Sequence, residues 1–381
     1  MDNKKPATWS IQTIWNELIT EDRKMEPRDY VRGSELGRNY LERYLKMKGV
    51  PFTNKFEARI LRVFDCGHIF EEDIMLRIFN LLGLVIGTQD EVRVEMPGLL
   101  PMVGHHDPQL GGKIDLDVVR QNLKATIKIE RPAILDDDGN IIKEASVEEI
   151  PAVTEWMKNR VWELAKKLKK QYPNGLENII TEMKTVNSMA FWAHKNQDEE
   201  TGFFKGYPHH LLQCWGYLKG KNHPRGRMFY MSKDDLTLME RPVLLSDKEL
   251  EAKWVADVHG MTLMWERGKE MKLKGQDMPI LKDDKMTLPD WMMEYAPEPI
   301  VFNENKNLWE LNWEVGRSNY LTLMTGFENT DAWEAAMKEE LKKKNTGTCP
   351  ICSKEFSLGT LNKYKGYCGR CSKIKVKKEK K

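Results

Sequence analysis

Glu182 and Lys184 flank Met183 within residues 178–186, a β-branched and alternating stretch that reads as a strand. A period of two puts both side chains on one face, with Met183 on the other. The carboxylate can hold a divalent metal, and the ammonium can orient or deprotonate an attacking water. Phosphodiester hydrolysis needs those two chemical types side by side. The same tripeptide recurs at Glu270-Met271-Lys272, but inside a charged helical stretch, where surface exposure is the better reading.

Three further groups of residues could serve such a centre. Asp107 follows Gly104-His105-His106 at the end of a short apolar strand start, where it could share a metal with Glu182; Asp115, after Gly112-Lys113-Ile114, competes for that role. Glu71 falls one helical turn after Gly67, with His68 between them, and either side chain could complete a metal site. Gln213 and Tyr217 are spaced i, i+4 on one helix face and carry neutral hydrogen-bonding groups able to contact a phosphate or a site carboxylate.

A second chemistry lies at the C-terminus. Cys349-Pro-Ile-Cys352 and Cys368-Gly-Arg-Cys371 are separated by fifteen residues, a spacing that lets four thiolates surround one zinc ion. Lys354, Lys363, Lys365 and Arg370 lie among Phe356, Tyr364 and Tyr367, a mixture able to grip nucleic acid or to dock a protein. From residue 338 onward fourteen Lys and Arg face four Glu, a net of +10, so the preceding 337 residues sum to −8 within an overall +2. A basic end on a mildly acidic body suits an anionic partner, or serves as a solubilising tail. Cys66 and Cys214 stand alone and read as buried thiols.

The elements that must position these residues alternate between helix and strand. Helical spacing covers residues 9–20, 34–47 and 65–82, the last two stopped by Gly49 and Gly83. Strand patterns cover 91–96, 102–106 and 110–119, and residues 127–142 read as a hairpin about Asp138-Gly139-Asn140. A charged helix over 154–171 precedes the Glu182 strand, and a short helix over 209–218 carries Gln213 and Tyr217. Strands at 228–231 and 236–245 follow, then a long helix over 247–272, an irregular stretch rich in Pro and Trp, and a helix ending at Lys344. This order is mixed α/β without the regular alternation of a doubly wound parallel sheet. The N-terminus lacks the apolar core of a signal peptide, and the longest apolar run, 81–87, is too short to span a bilayer, so a soluble, cytoplasmic protein is expected.

Taken in order, Gly-x3-Glu, Gly-x2-Asp, Glu-x-Lys on a strand and Gln-x3-Tyr on a helix resemble the RecB-like clade of PD-(D/E)XK nucleases. That clade includes bacteriophage exonucleases and CRISPR-associated adaptation nucleases. GHHDPQLGG resembles the clade's aspartate strand with its glycine pair, ITEMKTVNSMAF its Glu-x-Lys strand, HHLLQCWGYLKG its Gln-x3-Tyr helix, and YVRGSELGRNYLERYL the segment leading into the first element. The likeness covers roughly residues 30–245 and favours Asp107 over Asp115.

The resemblance implies a restriction-endonuclease-like fold, a mixed central sheet flanked by helices, for the body at residues 1–345; the cysteine spacing adds a zinc ribbon and basic tail at 346–381. The resemblance also implies that Asp107 and Glu182 bind Mg²⁺ or Mn²⁺, that Lys184 activates water, and that Gln213 and Tyr217 contact substrate; Glu71 is taken as the candidate further ligand, with the choice between it and His68 left open. The implied activity is a metal-dependent deoxyribonuclease, an exonuclease by the clade's habit, with DNA as partner and phage replication or recombination proteins as candidate associates in a host cytoplasm. A non-catalytic DNA-binding or assembly protein and a nuclease acting on RNA remain as alternatives. The sequence departs from the clade in three places. Glu71 stands where many relatives have His, the stretch between Asp107 and Glu182 is long, and all four paired cysteines lie downstream, which favours zinc over an iron–sulfur cluster.

Overall fold

Strand 176–186 carries Glu182 and sits at the centre of the larger sheet, so the fold is most easily followed outward from it. The computed structural model describes residues 26–54, 61, 67, 69–71, 76–88, 90–106, 108–131, 134–135, 141–186, 205–234, 236–282, 285–303, 307–366, 368 and 371. Asp107, His68, Cys66, the helix expected over 9–20 and the turn at 138–140 lie outside them. The chain divides into two compact units, one holding residues 32–36 and 60–256, the other 1–31, 37–59 and 257–381.

In the first of these, β1 (Val85–Gly87), β2 (Glu91–Val94), β3 (Met102–His105) and β4 (Gln109–Gly112) precede α1 (Leu116–Asn122). Asp115 caps α1 by accepting from the Asp117 amide at 2.8 Å, so the expected strand over 110–119 stops at Gly112 and turns helical. Next, β5 (Thr126–Arg131) pairs antiparallel with β8 (Ser146–Pro151), and β6 (Ile134–Leu135) with β7 (Ile141–Lys143), so the expected hairpin is longer than its turn signal indicated. Helix α2 (Glu155–Gln171), capped by Thr154, leads into β9 (Leu176–Val186). Helix α3 (Pro208–Lys221) then precedes β10 (Arg225–Ser232) and β11 (Leu238–Leu244).

The sheet runs β11-β10-β9-β4-β1. Among the described pairs of this sheet only β9–β10 is parallel, and a parallel pair requires a crossover, to which α3 belongs. Gly111 lets β4 approach β9 closely: a methyl group there would meet Asn178 Cα at 2.7 Å. One apolar core joins Leu81, Leu84, Ile114, Val119, Val161 and Ala165, so α1 and α2 cover this part of the unit.

The other unit contains α4 (Tyr40–Met47), the part of the long helix α5 (Lys248–Lys272) from Asp257 onward, and α6 (Thr330–Lys344). Two short hairpins, Ile280–Lys282 with Lys285–Thr287 and Ile300–Asn303 with Leu308–Leu311, occupy the stretch read from sequence as irregular. Arg43, 1% exposed, grips Asp257 with both guanidinium ends, at 2.8 and 3.0 Å. Glu270 pairs with Arg267 on the exposed side of α5 and Lys272 is exposed, so the charged residues of the second Glu-x-Lys tripeptide lie on a helix surface while Met271 is buried.

The cysteine-bearing segment belongs to the same unit. A hairpin of Thr346–Thr348 with Glu355–Ser357 frames the first knuckle, and α7 (Leu358–Lys363) precedes the second pair. Asn345 fastens it to the 300–311 hairpin: its amide oxygen accepts from the Trp309 amide and its amide nitrogen donates to the Trp309 carbonyl, both at 2.8 Å. Among the described residues no helix is long and apolar enough to cross a membrane.

Candidate functional site

Glu182 is 2% exposed, and a carboxylate so placed is stable as an anion only with compensating partners. Two are in place on its Oε1. Lys184, two residues on along the same face of β9, bridges it directly. The Gln213 amide nitrogen on α3 donates to it at 2.6 Å and to the Tyr217 hydroxyl oxygen at 2.8 Å. Elements from two separate stretches thus converge on one carboxylate: the strand period sets Lys184 beside it, and the i, i+4 spacing sets Tyr217 beside Gln213.

The glycines of the other elements make room for this arrangement. A methyl group at Gly104 would meet Tyr217 Cε1 at 2.6 Å, and one at Gly33 would meet the same atom at 2.7 Å. The Tyr217 ring therefore lies against two bare backbone positions, one in the GHHD segment and one in the RGSELG segment.

Around Asp107 the flanking residues are defined. Gln109 pairs with Ile180 and Leu110 with Ile179, and the Thr181 hydroxyl donates to the Pro108 carbonyl. His106 is fully buried, its Nε2 3.7 Å from Asp90 Oδ2. Asp115 is elsewhere: it follows Gly112, which pairs with Leu176, six residues before Glu182 on β9 and so roughly 20 Å along the strand. Its carboxylate is spent on capping α1. Gly67 is helical, and a side chain there would meet Thr185 Oγ1 at 3.6 Å. Thr185 leaves β9 on the face opposite Glu182 and Lys184, and Glu71 is half-buried one turn after Gly67.

Sequence reasoning missed Thr181, which holds the chain at Pro108, and Tyr230, which pairs with Lys184 across the parallel β9–β10 register. Tyr230 is fully buried, and desolvation pushes its phenol well above the usual range, with the Glu182 charge adding to the effect. Its oxygen accepts from the Tyr207 amide at 3.2 Å, just before α3 begins.

In the C-terminal segment, Cys349, Cys352, Cys368 and Cys371 bring their sulfurs within 4.8 Å of one another. Cys352 and Cys368 Sγ are 3.9 Å apart, close to the edge of a tetrahedron built on zinc–sulfur bonds of ~2.3 Å. The Cys368 amide donates to Cys349 Sγ and the Cys371 amide to Cys368 Sγ, each at 3.4 Å. The first of these holds the Cys349 thiol down to about 6. Leu361, Phe356 and Leu358 pack around the sulfurs. Four soft donors converging this way could bind a metal such as zinc.

Neither a protein-family model nor a curated protein matches this chain. A solved structure described as "Crystal structure of SSO0001" is similar at a TM-score of 0.34 and 11% identity, over 69% of this chain and 92% of that one. A likeness at that score carries no argument about fold or function.

Proposed function

We propose that the chain is a metal-dependent nuclease of the PD-(D/E)XK type, acting on DNA through Glu182, Lys184 and Asp107. The observation that carries the reading is the buried Glu182 carboxylate joined to both Lys184 and Gln213. The β4–β9 register adds support, because Gln109, two residues after Asp107 in the sequence, pairs with Ile180 on the strand that carries Glu182. Hard oxygen donors of this kind suit Mg²⁺ or Mn²⁺, with Asp107, Glu182 and Glu71 as the candidate set. Such an ion would supply Lewis-acid stabilisation of the charge that builds on the phosphate oxygens.

The chain's own residues would do the rest. Lys184 lies where its ammonium can orient a water and take up or return a proton. Gln213 fixes the Glu182 carboxylate, and Tyr217 continues the hydrogen-bonded line. Zinc in the four-cysteine centre would act as a folding staple for a segment with little core of its own, keeping its lysines available to DNA.

The reading is tested by incubating the pure protein with end-labelled linear DNA and closed circular DNA, in Mg²⁺, Mn²⁺ or EDTA. Cleavage that needs the divalent ion is expected, and the two substrates separate end-dependent from internal cutting. Full activity in EDTA, or no cleavage of either DNA in either metal, overturns the reading. Cleavage of RNA alone under the same conditions would assign the site to the other polymer.

A further inference from the structure

Helix α2 carries six Lys and Arg against two Glu and buries only one side, through Val161 and Ala165. Opposite that side, Trp156, Arg160, Glu163, Lys167 and Lys170 recur at i, i+4, i+7, i+11 and i+14, which places them in one stripe. Both carboxylates of the helix are already engaged, Glu155 by Lys158 at 2.6 Å and Glu163 by Lys166. Arg160, Lys167 and Lys170 are exposed and give the stripe its positive charge.

A lysine-rich helix face is commonly just a solvated one, but an indole at its end is not part of that pattern. Trp156 is 64% exposed, and the Arg160 guanidinium lies over its ring at 4.7 Å from the centroid. Cations spaced along ~15 Å of helix match a phosphate chain, and an exposed indole–guanidinium stack matches an unpaired base. Duplex DNA hides its base faces and would leave Trp156 without a role.

We infer that the Trp156–Arg160–Lys167–Lys170 stripe of α2 is a binding track for single-stranded DNA. It rests on the nuclease reading for the identity of the polymer, and adds to it an accessory surface that holds one strand.

The test is fluorescence anisotropy of the full chain with labelled single-stranded and duplex oligonucleotides of the same sequence, in EDTA so that no cleavage intervenes, over a range of salt. Trp156→Ala should weaken single-strand binding about tenfold, from the loss of one stacked base, with duplex binding and the salt slope unchanged. The triple variant Arg160→Gln, Lys167→Gln, Lys170→Gln should flatten the dependence of log K on log salt by about 2, at roughly 0.7 per lost contact on a single strand. All four side chains are exposed, and circular dichroism checks that the fold is kept. Unchanged single-strand affinity and slope in both variants would overturn the inference, as would an equal loss on duplex in Trp156→Ala. Cleavage of a short substrate in Mg²⁺ is read separately. Its absence in the wild type counts against the nuclease reading and leaves the binding result standing.

Discussion

The Gln213 amide nitrogen lies 2.6 Å from Glu182 Oε1 and 2.8 Å from the Tyr217 hydroxyl, so a single side chain on α3 links the buried carboxylate to the phenol one turn further on. A hydrogen bond to a charged group is worth about 1.5–3 kcal/mol, and its loss leaves Glu182 held by Lys184 on that oxygen. Gln213→Ala is therefore expected to slow cleavage by roughly 10- to 100-fold, at about 1.4 kcal/mol per factor of ten, while the chain stays folded. Single-turnover rates and a near-ultraviolet circular dichroism spectrum check this together. An unchanged rate would remove Gln213 from the site.

Gly104 and Tyr217 form a second testable pair. A methyl group at Gly104 would sit 2.6 Å from Tyr217 Cε1, too close for the ring to stay where it is. Gly104→Ala is expected to cost about 1–3 kcal/mol, as overpacking does. Tyr217→Phe keeps the clashing ring edge and should not relieve it. Tyr217→Ala should make the added methyl nearly neutral. A double-mutant cycle by urea denaturation measures the coupling, and additive effects would place the ring elsewhere.

Arg43 and Asp257 form a buried ion pair in the other unit, and each neutralises the other. Asp257→Ala leaves a guanidinium buried without its carboxylate and is expected to destabilise that unit by about 3–5 kcal/mol. Replacing both partners by apolar residues should cost far less. Denaturation curves of the single and double variants decide this, and a single-variant loss below about 1 kcal/mol would contradict it.

The four-cysteine centre should bind close to one zinc per chain, measured by elemental analysis, and Cys349→Ser should lose it. Because Asn345 ties this segment to the Trp309 backbone, metal removal should loosen the 300–311 hairpin as well as the knuckles, seen as faster amide exchange in both. Exchange confined to residues after 346 would mean that the segment unfolds independently. A brown protein absorbing in the visible would mean iron and sulfur in place of zinc.

The groupings of candidate residues were legible because spacing within one element dictates them. Glu182 and Lys184 share a face by strand alternation, Gln213 and Tyr217 by the helix turn, and the cysteines by their paired knuckles. What holds these pieces together was not legible, because it depends on contacts between distant positions. The roles of Gly33 and Gly104 appear only once the Tyr217 ring lies against them, and Thr181 matters through a carbonyl 73 residues away. Residues 110–119 misled because Asp115, read as a competing ligand, starts a helix by capping it. The hairpins within 280–311 were missed because strands of three or four residues among Pro and Trp carry too little periodicity to register.

The most direct test of the central claim is single-turnover cleavage of end-labelled DNA in Mg²⁺ by the wild type, Glu182→Ala, Asp107→Ala and Lys184→Ala, with binding measured in parallel. Loss of a metal-binding carboxylate should remove several kcal/mol of transition-state stabilisation, each ~1.4 kcal/mol being a factor of ten in rate. The expected result is cleavage lost by at least a thousandfold in both carboxylate variants and strongly reduced in Lys184→Ala, with all three still binding DNA. Wild-type rates in Glu182→Ala and Asp107→Ala would contradict the account.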